Sequence, residues 1–230
     1  MLFVEIAPPG RLCYGFIGLP LPAASKPRAY KQHKRAASAA ATREKVVEAA
    51  RALLLHEDFQ DLSMEAVAER AEVGRSTVYQ QFENKQRLLR AVEISVSERA
   101  GVERLLEVLQ QPDALGSLRA AFEVGGAVWA REQAMFRKLF GLAHVDADLR
   151  VLMADKDKRR EGLVQHLVDK LAAQKRLRRG VSRERAFQVL WLLTSFQTFD
   201  AMSHVTASPE AAARVLLDTC ELALLESKLG

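Results

Sequence analysis

The sequence predicts an all-α chain in which an N-terminal three-helix domain containing a helix-turn-helix is followed by a larger helical domain. Three observations carry this. Apolar residues recur at helical spacing from Thr42 onward, and no strand-like alternation of useful length interrupts them. Ser, Thr and Asn stand where helices should start, and Gly or Pro where they should stop or begin. The chain has 230 residues and is 49% hydrophobic, enough for a sizeable core.

Residues 1–41 read as a disordered basic arm. Within it, 1–25 is either disordered or translated from a start codon placed too early, and 26–41 (KPRAYKQHKRAASAAA) is basic, then small and featureless. Thr42 is the expected N-cap of a first helix, with Val46, Val47, Ala50, Leu53 and Leu54 on one face. Phe59 and Leu62 follow in the connection. Ser63 caps a second helix over 64–71, with Val67 and Ala68 inward, and Ala68 is small enough for a close helix crossing. A third helix over 75–82 buries Val78 and Phe82, and Asn84 caps a fourth that continues to about residue 110. Further helices are expected over 113–131, 133–144, 147–179, 182–203 and 209–228. Gly180 is the expected stop of the long one, after Arg178 and Arg179, cations suited to a helix C-terminus. Ser182 caps the next, and Ser208-Pro209-Glu210 is a helix start with proline at the first position. The domain boundaries follow as 1–41, 42–90 and 91–230.

Charge is unevenly placed. The net +5 comes from residues 1–41, which hold six basic residues and one acid, while 42–90 hold eight and nine. Any affinity for a polyanion at 42–90 must come from particular side chains, not from bulk charge. Cys13 and Cys220 lie at opposite ends and suggest reduced thiols of a cytoplasmic protein. No apolar run approaches a membrane span, and 12–22 is broken by Gly15, Gly18, Pro20 and Pro22. The five histidines make no H-x-x-x-H pair, no G-x-S-x-G elbow or phosphate-cradling glycine loop occurs, and neither cysteine has a catalytic context. The expectation is a protein that is not an enzyme and has no metal and no cofactor. The mixed run DKDKRRE at 155–161 suits an exposed, salt-bridged helix.

The stretch 61–85, DLSMEAVAERAEVGRSTVYQQFENK, has the form of two short helices joined by a tight turn, the second polar outside. Its second helix is of the kind that lies in the major groove of double-stranded DNA. The string V-G-R-S-T-V-Y-x-x-F-x-N-K, from Val73 to Lys85, after a helix of M-E-A-V-A-E-R-A type, resembles the DNA-binding domain of the TetR family of transcriptional regulators. The resemblance covers about residues 42–92, and beyond it only the helical architecture agrees. Residues 193–200 (LTSFQTFD) also look like a stretch found in some members, with no chemistry attached. One departure is Glu72, where the family often has glycine; a left-handed non-glycine residue costs roughly 1–2 kcal/mol.

The resemblance implies that 75–81 is the recognition helix. Arg75 is the expected bidentate reader of guanine, and Ser76 and Thr77 stand beside it, Thr77 suited to a thymine methyl. Gln80 and Gln81 have the amides that read adenine or reach phosphate, and Tyr79 is the backbone clamp. Lys85, with its helix N-terminus, and Thr42 and Arg43 are the further phosphate contacts. Plainer readings stand beside these: Tyr79 as a half-buried core ring, Arg75 paired with Glu72, and the glutamines free of base contact.

Specificity requires two half-sites, so the resemblance implies a homodimer through 182–203 and 209–228, with Val189, Leu190, Leu193, Phe196 and Gln197 on one helix and Val215, Leu216, Thr219 and Leu222 on the other. Core filling is the alternative for those faces. It also implies a small-molecule effector pocket in the C-terminal domain. Trp129, Phe136, Phe140 and Met153 are candidate walls, with Trp191, Phe196 and Phe199; His144, His166 and Arg159 are candidate polar contacts. An aromatic at helical spacing is more often core than ligand wall. The functional expectation is a repressor released from a palindromic operator by an unidentified effector. The alternative is a DNA-bound helical adaptor regulated by a protein partner.

Overall fold

The computed structural model describes residues 27–56 and 62–226. These form eleven α-helices with one isolated antiparallel bridge, Leu177 to Leu225. The expectations for residues 1–26, and for Phe59 in the connection, fall outside the described residues.

The chain divides into two units, Met1–Ala40 and Ala41–Gly230. In the first, the described residues are helical, and 36–40 are exposed. Helix α1 spans Pro27–His56, so Thr42 is interior to it and is not its N-cap, contrary to expectation. Alanine is the best helix former, and the Ala-rich run before Thr42 extends the helix instead of ending it.

In the second unit, α2 (Met64–Arg70) is capped by Ser63, whose Oγ accepts from Ala66 N–H at 3.1 Å. The turn passes through Glu72 at φ 51°, the left-handed conformation anticipated for that position. Helix α3 (Arg75–Phe82) buries Val78 and Phe82. Helix α4 (Lys85–Ala100) starts on the Asn84 side chain, which accepts from Arg87 N–H at 2.9 Å.

Later helix boundaries also differ from expectation. The fourth helix stops at Gly101, φ 79°, where the left-handed glycine C-cap accepts the break cheaply, and a short α5 (Arg104–Leu109) follows. Helix α6 is Ala114–Arg131, and α7 is Gln133–Leu142. Helix α8, Ala147–Ala173, ends well before Gly180. Lys175 turns left-handed at φ 54°, and Arg176 N–H closes back on Leu171 C=O, a Schellman-type stop built without glycine. Gly180 instead serves the loop leading to Ser182. The expected 182–203 helix is two, α9 (Arg183–Leu193) and α10 (Phe196–Ser203). Thr194 Oγ1 donates to Leu190 C=O, and Ser195 Oγ accepts from Thr198 N–H, so adjacent hydroxyls break one helix and cap the next. Helix α11 is Pro209–Leu224.

The apolar core does not divide at residue 90, which lies inside α4. One cluster joins Val46, Leu54, Val78 and Phe82 to Phe136 and Leu149, and so runs from the helix-turn-helix into α7 and α8. A second lies among α6, α8, α9 and α11. At the join, buried Arg51 of α1 donates to Glu132, between α6 and α7, at 2.9 Å. The reading head is thereby packed on the C-terminal helices through the start of α4, α7 and the first half of α8.

Candidate nucleic-acid interface and effector cavity

The helix-turn-helix presents α3 with Arg75, Ser76, Tyr79 and Gln80 exposed and Thr77 and Gln81 half-buried. Val78 and Phe82 lie on the opposite side, in the core, which fixes the helix rotation. Tyr79 is 38% exposed, so its ring is not a core ring.

Arg75 pairs with Glu65 of α2, at 2.5 Å, and not with Glu72, which instead pairs with Lys45 at 3.1 Å. The guanidinium lies 5.4 Å from the centre of the Tyr79 ring, and the Tyr79 hydroxyl donates to the same Glu65 carboxylate at 3.4 Å. Tyr79 first, and Glu65 second, hold the Arg75 pKa above the ordinary arginine value. Arg75 is thus a permanent cation poised on the exposed face, held by a solvent-exposed pair of the weak kind that a phosphate or base can displace.

Arg43 does a structural job. Its Nη1 donates to Gln81 C=O at 3.1 Å, and its guanidinium lies 4.3 Å from the centre of the Phe82 ring. It therefore closes the C-terminus of α3, a contact that sequence spacing did not reveal. Thr42 is half-buried inside α1, one residue before it. Lys85, half-buried, opens α4 directly after the Asn84 cap. A 16-residue helix N-terminus and a lysine stand together there, an arrangement suited to a phosphate.

Behind the head, a cavity of about 480 Å³ opens among α4, α5, α6 and α8. Trp129 lines it, as does Arg159. The other expected ligand contacts do not. Phe136 and Phe199 are fully buried core, and Met153 and Phe196 are buried among the same side chains. Phe140 stacks on Phe196 with ring centres 5.3 Å apart. Trp191 is covered by the Arg160 guanidinium, 3.5 Å from its ring centre, and by Phe187. His144 and His166 are exposed, away from the cavity wall. Packing between helices consumed the aromatic rings, and the cavity was left to smaller apolar groups such as Val102, Leu105 and Leu163.

Its polar wall was not anticipated. Glu93 of α4 is 3% exposed, and its Oε1 accepts from Ser97 Oγ (2.9 Å), Arg159 Nη2 (3.2 Å) and Lys156 Nζ (3.4 Å). Lys156 also donates to Ser97 Oγ at 3.0 Å and lies 5.0 Å from the Phe136 ring centre. Burial, opposed by Glu93, pulls the Lys156 pKa below the ordinary lysine value. Arg160, also lowered by burial, donates to Trp191 C=O at 2.8 Å. The run 155–161 is therefore not simply an exposed charged face, because Lys156 is buried and Arg160 half-buried. On the far side, Cys220 is buried and its thiol is pushed up to about 12, which makes it an inert core group.

The fold is a helix-turn-helix with an exposed second helix, α3, followed by a helical C-terminal domain. Residues 46–92 match the family model of bacterial regulatory proteins, tetR family. Comparison with curated proteins finds no match. Similar solved structures include NalD of Pseudomonas aeruginosa, the secondary repressor of the MexAB-OprM multidrug efflux pump, at 23% identity, TM-score 0.68, covering 83% of this chain and 98% of that one. SmeT, repressor of the Stenotrophomonas maltophilia efflux pump SmeDEF, is 16% identical at TM-score 0.62, covering 82% and 92%. A TetR transcription regulator from Haloarcula marismortui is 13% identical at TM-score 0.63, covering 81% and 100%. These likenesses establish the fold. With the family match, the chain carries a TetR-family DNA-binding domain at residues 46–92 and shares the overall fold of solved TetR-family regulators. Among the described residues no helix is long and apolar enough to cross a membrane.

Proposed function

We propose that this regulator is a repressor that binds a palindromic operator as a homodimer and is released when a small molecule enters the cavity behind α4. The observation that carries the proposal is the position of α4 itself. Its first turn holds Lys85, beside the recognition helix, and its middle turns, Glu93 and Ser97, form a wall of the cavity. A ligand regulates only if it binds the DNA-competent and incompetent forms with different affinity. A molecule between α4 and α8 acts on the element that positions the phosphate contact, and α4 is tied to α8 by Gln86–Asp148 (3.1 Å) and Arg90–Asp155 (3.6 Å). A cavity largely walled by apolar side chains favours a small ligand over the protein-partner alternative.

The exposure of α3 supports a division of base and phosphate roles in which Arg75, Thr77 and Gln80 turn toward bases and Tyr79, Lys85, Ser76 and Gln81 toward backbone, with Arg43 as a support that stiffens α3. For the dimer, the faces expected to pair divide between two uses. Leu190, Leu193, Phe196 and Leu216 are buried in the chain's own core. Val215, Leu222 and Leu192 remain exposed, Leu222 by 70%, and these side chains of α9 and α11 are the proposed contact.

Selection of bound sequences from randomised DNA tests the operator: a palindrome of two half-sites supports the proposal, and an asymmetric or absent motif refutes it. Light scattering through a dilution series tests the dimer, which a persistent 25.6 kDa species would exclude. Gly125→Leu tests the cavity. Gly125 lines it, and a Cβ at that position would meet nothing within 4 Å, so the larger side chain fills space without a backbone clash. The variant should bind operator and lose its response to effector.

A further inference from the structure

We propose that the cavity takes a cationic, largely apolar molecule, an amine whose ammonium is received by Glu93 Oε2, Glu98 and Glu103. The inference rests on the cavity being the effector site. Its basis is the division of the charges on the cavity wall between those with partners and those without.

Four cations line the cavity, and each is engaged. Arg90 pairs with Asp155, Lys156 and Arg159 both pair with Glu93, and Arg160 pairs with Asp157 while donating to Trp191 C=O. An anionic ligand would have to take one of these from its acid. For Lys156 or Arg159 that acid is Glu93, almost wholly buried, and a buried carboxylate stripped of a partner is strongly disfavoured.

The acids on the same wall are different. All three side-chain hydrogen bonds to Glu93 reach Oε1, and among the described residues Oε2 receives none. Glu98 and Glu103 line the cavity and make no ion pair or side-chain hydrogen bond among the described residues. Acceptor capacity and negative charge are the unused resources of the wall. Arg159, whose side chain is largely in solvent, can swing away from Glu93 as an ammonium arrives. Val102, Leu105 and Leu163 receive the apolar body.

The test is calorimetric titration of the purified protein with decylammonium, decanoate and decanol, three probes of one chain length. Decylammonium should bind about tenfold more tightly than either of the others, the worth of a charge-assisted hydrogen bond. In the Glu98→Gln/Glu103→Gln variant, which touches no structural contact, that preference should fall severalfold, and in Gly125→Leu binding should be lost. Decanoate or decanol binding as tightly as decylammonium, or a preference unchanged in the double variant, overturns the cationic assignment and leaves the cavity as effector site intact. Failure of all three probes to bind, or equal binding to Gly125→Leu, overturns the cavity reading itself and this inference with it.

Discussion

Replacing Glu93 by glutamine probes the buried cluster that joins α4 to α8. The carboxylate accepts three hydrogen bonds on Oε1 at 2.9, 3.2 and 3.4 Å, two of them from cations. Removing one partner of a buried pair costs about 3–5 kcal/mol when the other charge is left alone. Here Lys156 keeps Ser97 and its aromatic neighbours, the glutamine oxygen still accepts, and Arg159 can return to water, so the expected loss is about 2–3 kcal/mol. For a chain of this size that is a fall in Tm of about 5–10 °C. Replacing both charges, Glu93→Leu with Lys156→Met, removes the unpaired cation as well and should lie within about 1 kcal/mol of the parent. The sign with pH follows from burial. Lys156 has a lowered pKa in the folded chain, so the unfolded chain holds that proton more tightly. Its contribution is therefore least favourable at neutral pH and improves as pH rises through the folded value toward 10.5; the Lys156→Met variants lack this rise. Urea unfolding followed by tryptophan fluorescence, at fixed protomer concentration, measures all of this. A Glu93→Gln loss below about 0.5 kcal/mol, or a double variant as weak as Glu93→Gln, would refute the reasoning.

Four further outcomes are expected. Arg75→Ala should lose about tenfold or more in affinity at one base position and relax preference there, read from binding to a randomised operator library; unchanged preference excludes base reading. Lys85→Ala should weaken binding on all sequences alike and reduce the slope of log affinity against log salt by about one. Glu65→Gln removes the carboxylate that holds Arg75 and Tyr79, and should tighten binding about two- to fivefold with little sequence dependence, as gel-shift titration would show. Gly126→Ala should destabilise by about 1–3 kcal/mol, whereas Gly125→Ala should not, with urea midpoints as the measure. The difference arises because a Cβ on Gly126 meets Ala213 Cβ at 2.6 Å, driving α6 from α11, while one on Gly125 meets nothing within 4 Å.

How far each part was legible in the sequence follows from how local its cause is. The reading head is written in one contiguous stretch, with caps at Ser63 and Asn84, inward Val78 and Phe82, and outward Arg75 and Tyr79, so periodicity alone orients it. The left-handed Glu72 was legible only through the family resemblance, in which glycine often stands at that turn. The partner of Arg75 was not, because Glu72 and Glu65 are both near it along the chain and only the crossing of α2 and α3 decides between them. The breaks at Gly101 and Ser195 were hidden because glycine and serine are tolerated inside apolar helical patterns, and the closing hydrogen bonds are visible only in three dimensions.

The cavity was the hardest part, and the aromatic rings were the wrong guide to it. Large rings fill the space where helices cross, as Phe136 and Phe199 do, and so remove cavities instead of making them. The histidines had a readable signal against them: His166 falls off the stripe of Val164, Leu167 and Leu171, and is exposed accordingly. The informative signal was a charge placed on the stripe. Glu93 follows Leu89 and Val92 and precedes Val96, and Lys156 follows Leu149, Leu152 and Met153, each in buried register on its own helix. Two opposite charges on two apolar faces can be buried only against one another. That pairing both docks α4 on α8 and leaves a polar edge to the space between them, so the acid and the base on the stripes mark the cavity wall that the aromatic rings, Trp129 apart, do not.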